Sequence, residues 1–174
     1  MAAAHDPFET GPHAERVGAI AAELYHDWAL RHGHDPDPIR HEKGRLRLAA
    51  MLHDIGKVGV SDSILKKPGK LTDEERIIMR GHTAIGASIL ADGRGKIGPL
   101  ARDIALHHHQ RWDGHGYADS GEEGKLTGED IPLGARITAI VDVFDALGFS
   151  SLLQTAQDLW GYSGPAAQGG GWAF

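Results

Sequence analysis

The chain has 174 residues, 41% of them apolar and 24% charged, which fits one globular domain with a core of its own. Its net charge of −6 argues against a nucleic-acid coat or an anionic-membrane binder, and the absence of cysteine excludes disulfides and thiolate metal sites. A small anionic ligand stays compatible with that charge if metal ions supply positive charge locally.

The start, Met1 to Asp6, has neither the basic residues nor the apolar run of a signal peptide. The most apolar stretch, Leu133 to Leu147, contains Arg136, Asp142 and Asp145 and is too short to span a bilayer. No membrane and no nucleic-acid polymer is therefore expected as a partner, and the expected compartment is cytoplasmic. Residues 8 to 31 read as a first helix, with Val17, Ile20, Leu24 and Trp28 at helical spacing. On it Glu9 and His13, four apart, share a face and could grip one ion. The segment His32 to Lys43, with Asp35-Pro36-Asp37-Pro38, reads as a polar loop whose histidines, His32, His34 and His41, are solvated.

A second helix is predicted from about Gly44, and it carries His53-Asp54 among Leu48, Ala49, Ala50, Met51, Leu52 and Ile55. A carboxylate drawn into so apolar a setting needs positive compensation. Either a His–Asp hydrogen bond or a shared divalent metal, with His giving nitrogen and Asp oxygen, would supply it. Lys57 lies about one turn further on, placed to reach a phosphate oxygen beside such a metal.

Gly59 to Lys70 has turn chemistry, and Thr72 with Glu75 makes a capping box. The helix after it carries Ile77, Ile78, Ile85, Ile89 and Leu90 and contains Gly81-His82, where a glycine signals a close approach, a site or plain packing. The next helix, from about Gly98, ends in His107-His108-His109. Successive helical side chains diverge by about 100°, so neighbours can serve two metals or two positions on one. After the turn Trp112 to Tyr117 and a polar loop, Pro132 opens a helix with the stripe Leu133, Ile137, Ile140 and Phe144. Asp142 interrupts it and wants a metal or a cation, and Asp145, three residues on, is placed to support a ligand. At Gly148 the character changes, with a short helix over Leu152 to Trp160 and a flexible end over 161–174.

Taken in order, these motifs resemble the HD-GYP domain, a branch of the HD phosphohydrolase superfamily. The resemblance rests on Glu9-Thr10-Gly11-Pro12-His13, His53-Asp54-Ile55-Gly56-Lys57, Lys67-Pro68-Gly69, His82-Thr83, His108-His109-Gln110-Arg111-Trp112-Asp113-Gly114-His115-Gly116-Tyr117, and Asp142-Val143-Phe144-Asp145-Ala146-Leu147. It implies an all-α, HD-domain helical bundle over residues 1–147, with 148–174 an atypical, partly flexible tail. It implies hydrolysis of cyclic di-GMP to pGpG and/or GMP at two or three divalent metal ions, Fe or Mn. The implied ligands are His13, His53, Asp54, His82, His108, His109 and Asp142, with Glu9 as the carboxylate of a third metal. Asp54 would bridge two ions, Lys57 would contact phosphate, and Arg111, Asp113, Gly114, Gly116 and Tyr117 would border the substrate. Two close metals stabilise charge on a phosphoryl group and supply a nucleophile at neutral pH.

The chain departs from that pattern at Ala118, where the family has proline, and at Gln110, where it usually has glutamate. The serine-rich turn and basic segment that normally follow Leu147 are absent, as a frame shift or truncation near residue 148 would leave them. Weaker substrate binding and lower stability are the expected consequences. Two other readings stay open: a catalytically impaired domain that binds cyclic di-GMP or a protein, and an HD phosphohydrolase for another nucleotide. The Trp112 to Tyr117 loop favours cyclic di-GMP hydrolysis over the last of these. With no receiver or sensor segment in view, control would fall to a regulatory partner protein or to metal supply.

Overall fold

A computed structural model describes residues 11–91, 97–118 and 125–160, with side chains through 148. Its helices are α1 (Gly11–Arg31), α2 (Pro36–Ala50), α3 (Asp62–Leu65), α4 (Asp73–Arg80), α5 (His82–Ala91), α6 (Ile97–His107) and α7 (Leu133–Trp160). Two 3-10 turns, Ile55–Gly59 and Gly128–Asp130, join them. There is no strand among the described residues, so the all-α expectation holds. No helix of these residues is long and apolar enough to cross a membrane.

Helices α1, α2, α6 and α7 share one core, built from Val17, Ala21, Leu46, Ala49, Ala50, Ala101, Ile104, Ile137 and Val141. Four of these nine are alanines, which lets helix backbones approach closely while the larger side chains fill the remaining space. The glycine pair Gly56 and Gly86 extends this logic to α5. A Cβ on Gly56 would overlap the His82 carbonyl oxygen and the Gly86 nitrogen, so the 3-10 turn lies directly against the start of α5.

Several boundaries differ from the sequence reading. Helix α2 begins at Pro36, eight residues before Gly44, because Asp35 accepts a hydrogen bond from Asp37 N at 3.1 Å and Pro36 fits the first turn. The helix also stops at Ala50, so His53 and Asp54 stand on the turn beyond it. Gly81 does not sit inside one helix: it caps α4, and α5 starts at His82. The close approach expected there occurs at Gly56 and Gly86. The Thr72 capping box forms as read, with Thr72 N donating to Glu75 Oε2 at 2.7 Å.

On α7 the apolar stripe is turned. Ile137 is buried, but Ile140 and Phe144 are each 63% exposed, while Thr138, Val141 and Asp145 face inward. That rotation points Asp142 and Asp145 at His13 on α1. Nor does α7 break at Gly148: its backbone runs on to Trp160, where a separate short helix was expected.

Two glycine substitutions should move stability in opposite directions. Gly44 is exposed on α2 with open space where a Cβ would go, so Gly44→Ala is expected to stabilise by about 0.5–1 kcal/mol. Gly56→Ala forces backbones apart and is expected to cost about 1–3 kcal/mol or more. Urea denaturation of the two variants checks both signs.

Candidate metal centre

Five parts of the chain converge on one polar cluster. His13 comes from α1, His53 and Asp54 from the turn after α2, and His82 from the first position of α5. His108 and His109 lie just past α6, and Asp142 lies on α7. The ligand atoms fall into two groups, each within 4.8 Å: Asp54 with His82, His108 and His109, and His13 with His53 and Asp142.

Each anchored imidazole is held by its Nδ1. His53 Nδ1 is 2.8 Å from the Ala50 carbonyl, His82 Nδ1 is 2.7 Å from Met79 O, and His108 Nδ1 is 3.0 Å from Ile104 O. A carbonyl oxygen only accepts, so Nδ1 carries a proton, and in the neutral ring the lone pair is left on Nε2. His13 follows the same rule with a carboxylate: its Nδ1 is 2.8 Å from Asp145 Oδ2. Asp145 is in turn gripped by Arg16, through Nε at 2.7 Å and Nη2 at 2.8 Å. Burial pushes the Asp145 carboxyl up, but the hydrogen bonds from Arg16 and His13 win and hold it below its ordinary value. Such a partner on the far ring nitrogen orients a metal-binding histidine.

The Nε2 atoms then point at carboxylate oxygens. Asp54 Oδ1 lies 3.1 Å from His82 Nε2 and 3.6 Å from His108 Nε2. Asp54 Oδ2 lies 2.9 Å from His53 Nε2, and Asp142 Oδ1 lies 3.3 Å from His13 Nε2. Burial disfavours the charged form of His108 and drives His109 well below the ordinary imidazole range. Burial also pushes Asp54 up, but the causes that oppose it, the Lys57 ammonium first among them, win and hold the carboxyl well below its usual range. Neutral nitrogens and an anionic oxygen thus face each other with lone pairs on both sides. Buried Asp54 Oδ1, His82 Nε2 and His108 Nε2 have no hydrogen-bond partner, a state that costs about 1–3 kcal/mol per group. Divalent cations between them remove that cost, and imidazole with carboxylate is a donor set they accept. Because its two oxygens face different groups, Asp54 is the residue that could join two ions.

Around the cluster, Lys57 Nζ is 3.1 Å from Asp54 Oδ2. The His109 ring stacks on Tyr117 at 4.7 Å between centroids, and Arg80 lies over the Tyr117 ring at 5.0 Å. Gly116 packs against the backbone of 109–111, where a Cβ would overlap His109 O and Arg111 N. Gly114 supplies a left-handed turn, with φ of 78°. Arg111 and Asp113 are exposed and pair with each other at 2.7 Å. Gln110 Oε1 accepts from Leu126 N at 3.2 Å, tying down the far end of the loop. His107 stands outside both groups, and Glu9 lies outside the described residues. The sequence reading missed Arg16, whose signal is its place one helical turn after His13, and Arg80, for which the sequence held none.

Residues 10–147 match the family model described as HD domain. The chain is 43% identical over 140 residues, 80% of its length, to 3'3'-cGAMP-specific phosphodiesterase 2 of Vibrio cholerae. It is 39% identical over 147 residues, 84% of its length, to a cyclic di-GMP phosphodiesterase of Thermotoga maritima. A cyclic di-GMP phosphodiesterase of Vibrio cholerae is 50% identical over 104 residues, 57% of this chain. The chain spans only 24%, 36% and 20% of these curated relatives, respectively.

Metal analysis after equilibrium dialysis against Mn(II) checks the two-group arrangement. Asp142→Ala is expected to lose about one equivalent and Asp54→Ala about two, while His107→Ala keeps the wild-type content.

Proposed function

This chain belongs to the HD-domain family, and we propose that it is a metal-dependent phosphodiesterase of the HD-GYP branch that opens cyclic di-GMP to pGpG and/or GMP. The single observation that carries the reading is Asp54, whose two oxygens face two separate sets of histidines. His13, His53 and Asp142 would hold one divalent ion, and His82, His108 and His109 the other, with Asp54 shared. Fe or Mn suits these nitrogen and oxygen donors. When bound, such a pair supplies Lewis acidity toward the phosphoryl oxygens and a nucleophile at neutral pH.

The protein's own groups do the rest. Lys57, beside Asp54 at the cluster's edge, can turn its ammonium to a non-bridging phosphate oxygen and offset the charge that grows there. Asp145 and Arg16 keep His13 in the tautomer that offers Nε2. Stacking on Tyr117 fixes the His109 ring.

A second substrate is favoured by a specific likeness. The relative named for 3'3'-cGAMP aligns with 80% of this chain. Both nucleotides carry two phosphodiesters in one ring, so the cluster serves either and the bases decide between them.

The test is turnover of cyclic di-GMP and 3'3'-cGAMP, side by side, by anaerobically purified protein loaded with Fe or Mn. Asp54→Ala is expected to lower turnover by about a thousandfold or more, and Lys57→Ala by about ten- to a hundredfold. Turnover unchanged in Asp54→Ala would overturn the reading. Tight nucleotide binding without turnover in the wild type would make the chain a receptor.

A further inference from the structure

We propose that Arg80 forms a subsite for the second phosphate of the cyclic dinucleotide, the one that is not being cleaved. This rests on the function proposed above. A cyclic dinucleotide brings two anionic phosphodiesters, and a metal cluster neutralises one of them. The other needs a cation at the rim, or its desolvation weakens binding.

The basic side chains near the cluster differ in what already occupies them. Arg16 holds Asp145 with two hydrogen bonds, Arg111 holds Asp113, and Lys57 sits on Asp54. Arg80 is exposed and joins no ion pair among the described residues. Arg136, the one Lys or Arg of α7, lies over the Trp112 ring at 5.7 Å, and residues 137–174 hold no Lys or Arg.

Arg80 is also well placed and well held. It is the last residue of α4, two before the ligand His82, and its carbonyl accepts from Thr83 Oγ1 at 3.1 Å. The neighbouring Met79 carbonyl fixes His82 itself at 2.7 Å. One short turn therefore sets both a metal-facing imidazole and this guanidinium. The guanidinium lies over the Tyr117 ring, and that ring stacks on His109. The chain thus lines up cluster, imidazole, phenol and guanidinium in contact, with the cation at the outer end. A planar guanidinium there can keep its ring contact and donate a pair of hydrogen bonds to a phosphate.

The experiment compares cyclic di-GMP with bis(p-nitrophenyl) phosphate, which has a single phosphodiester and nothing for a second subsite. The ratio of kcat/KM values, cyclic di-GMP over the small ester, is expected to fall about tenfold in Arg80→Ala, mostly through KM. Arg80→Lys should recover part of the ratio, because a point charge replaces the fork. Metal content, measured on each variant, should match the wild type. An unchanged ratio, with both rates held or both falling together, overturns the subsite. Should the wild type cleave the small ester but no cyclic dinucleotide, the proposed function fails. The decision on Arg80 then passes to equilibrium affinity for cyclic di-GMP, where a tenfold loss in Arg80→Ala supports the subsite and no loss refutes it.

Discussion

The structure depends on a constraint placed on four imidazole rings. Each one is pinned through Nδ1, three to backbone carbonyls and His13 to Asp145. With Nδ1 donating to that side, the neutral ring carries its lone pair on Nε2, and the fold aims it at a carboxylate. Left alone, the buried lone pairs are a liability of several kcal/mol, a large share of a typical domain's net stability of about 5–15 kcal/mol. Divalent cations bound there would turn the same geometry into binding energy and so couple metal affinity to folding.

The rest of the architecture supplies the ligands to one point from segments far apart in the chain. His13 meets Asp145 across 132 positions of sequence. Helices must lie close for that, which the alanine-rich core of α1, α2, α6 and α7 permits. Gly56 and Gly86 let the turn carrying His53 and Asp54 rest on the start of α5, so that His82 reaches the same carboxylate. Gly116 does a similar service for His109, since the backbone folded beneath it leaves no room for a side chain. The polar cluster is thus bought with small residues around it.

Much of this was legible in the sequence, and the reason is chemical oddness. Asp54 and Asp142 lie among apolar neighbours, and adjacent histidines at 108 and 109 follow an amphipathic helix, so each asks for a partner. Their order along the chain then resembled one family, and the ligands inferred on that basis lie together, Glu9 excepted because it falls outside the described residues. What the sequence hid was geometry set by packing. Asp35 and Pro36 start α2 early because a cap and a first-turn proline outweigh the polar look of the segment. Half of the α7 stripe holds, since Leu133 and Ile137 pack in the core, while further along Thr138 and Asp145 turn inward and Ile140 and Phe144 stay out. The carbonyls of Ala50, Met79 and Ile104, which fix the tautomers, belong to residues whose side chains give no hint of it. Arg16 carries only its spacing from His13 as a sequence signal and Arg80 carries none, because their partners, Asp145 and Tyr117, are set by the fold.

In the function proposed above, Asp54 joins two cations held by different histidines. Anomalous diffraction from crystals of the Mn(II)-loaded protein, collected on both sides of the manganese edge, tests it most directly. Two peaks about 3.5–4 Å apart, one beside each oxygen of Asp54, are the expected result. A single peak, or peaks remote from Asp54, would contradict it.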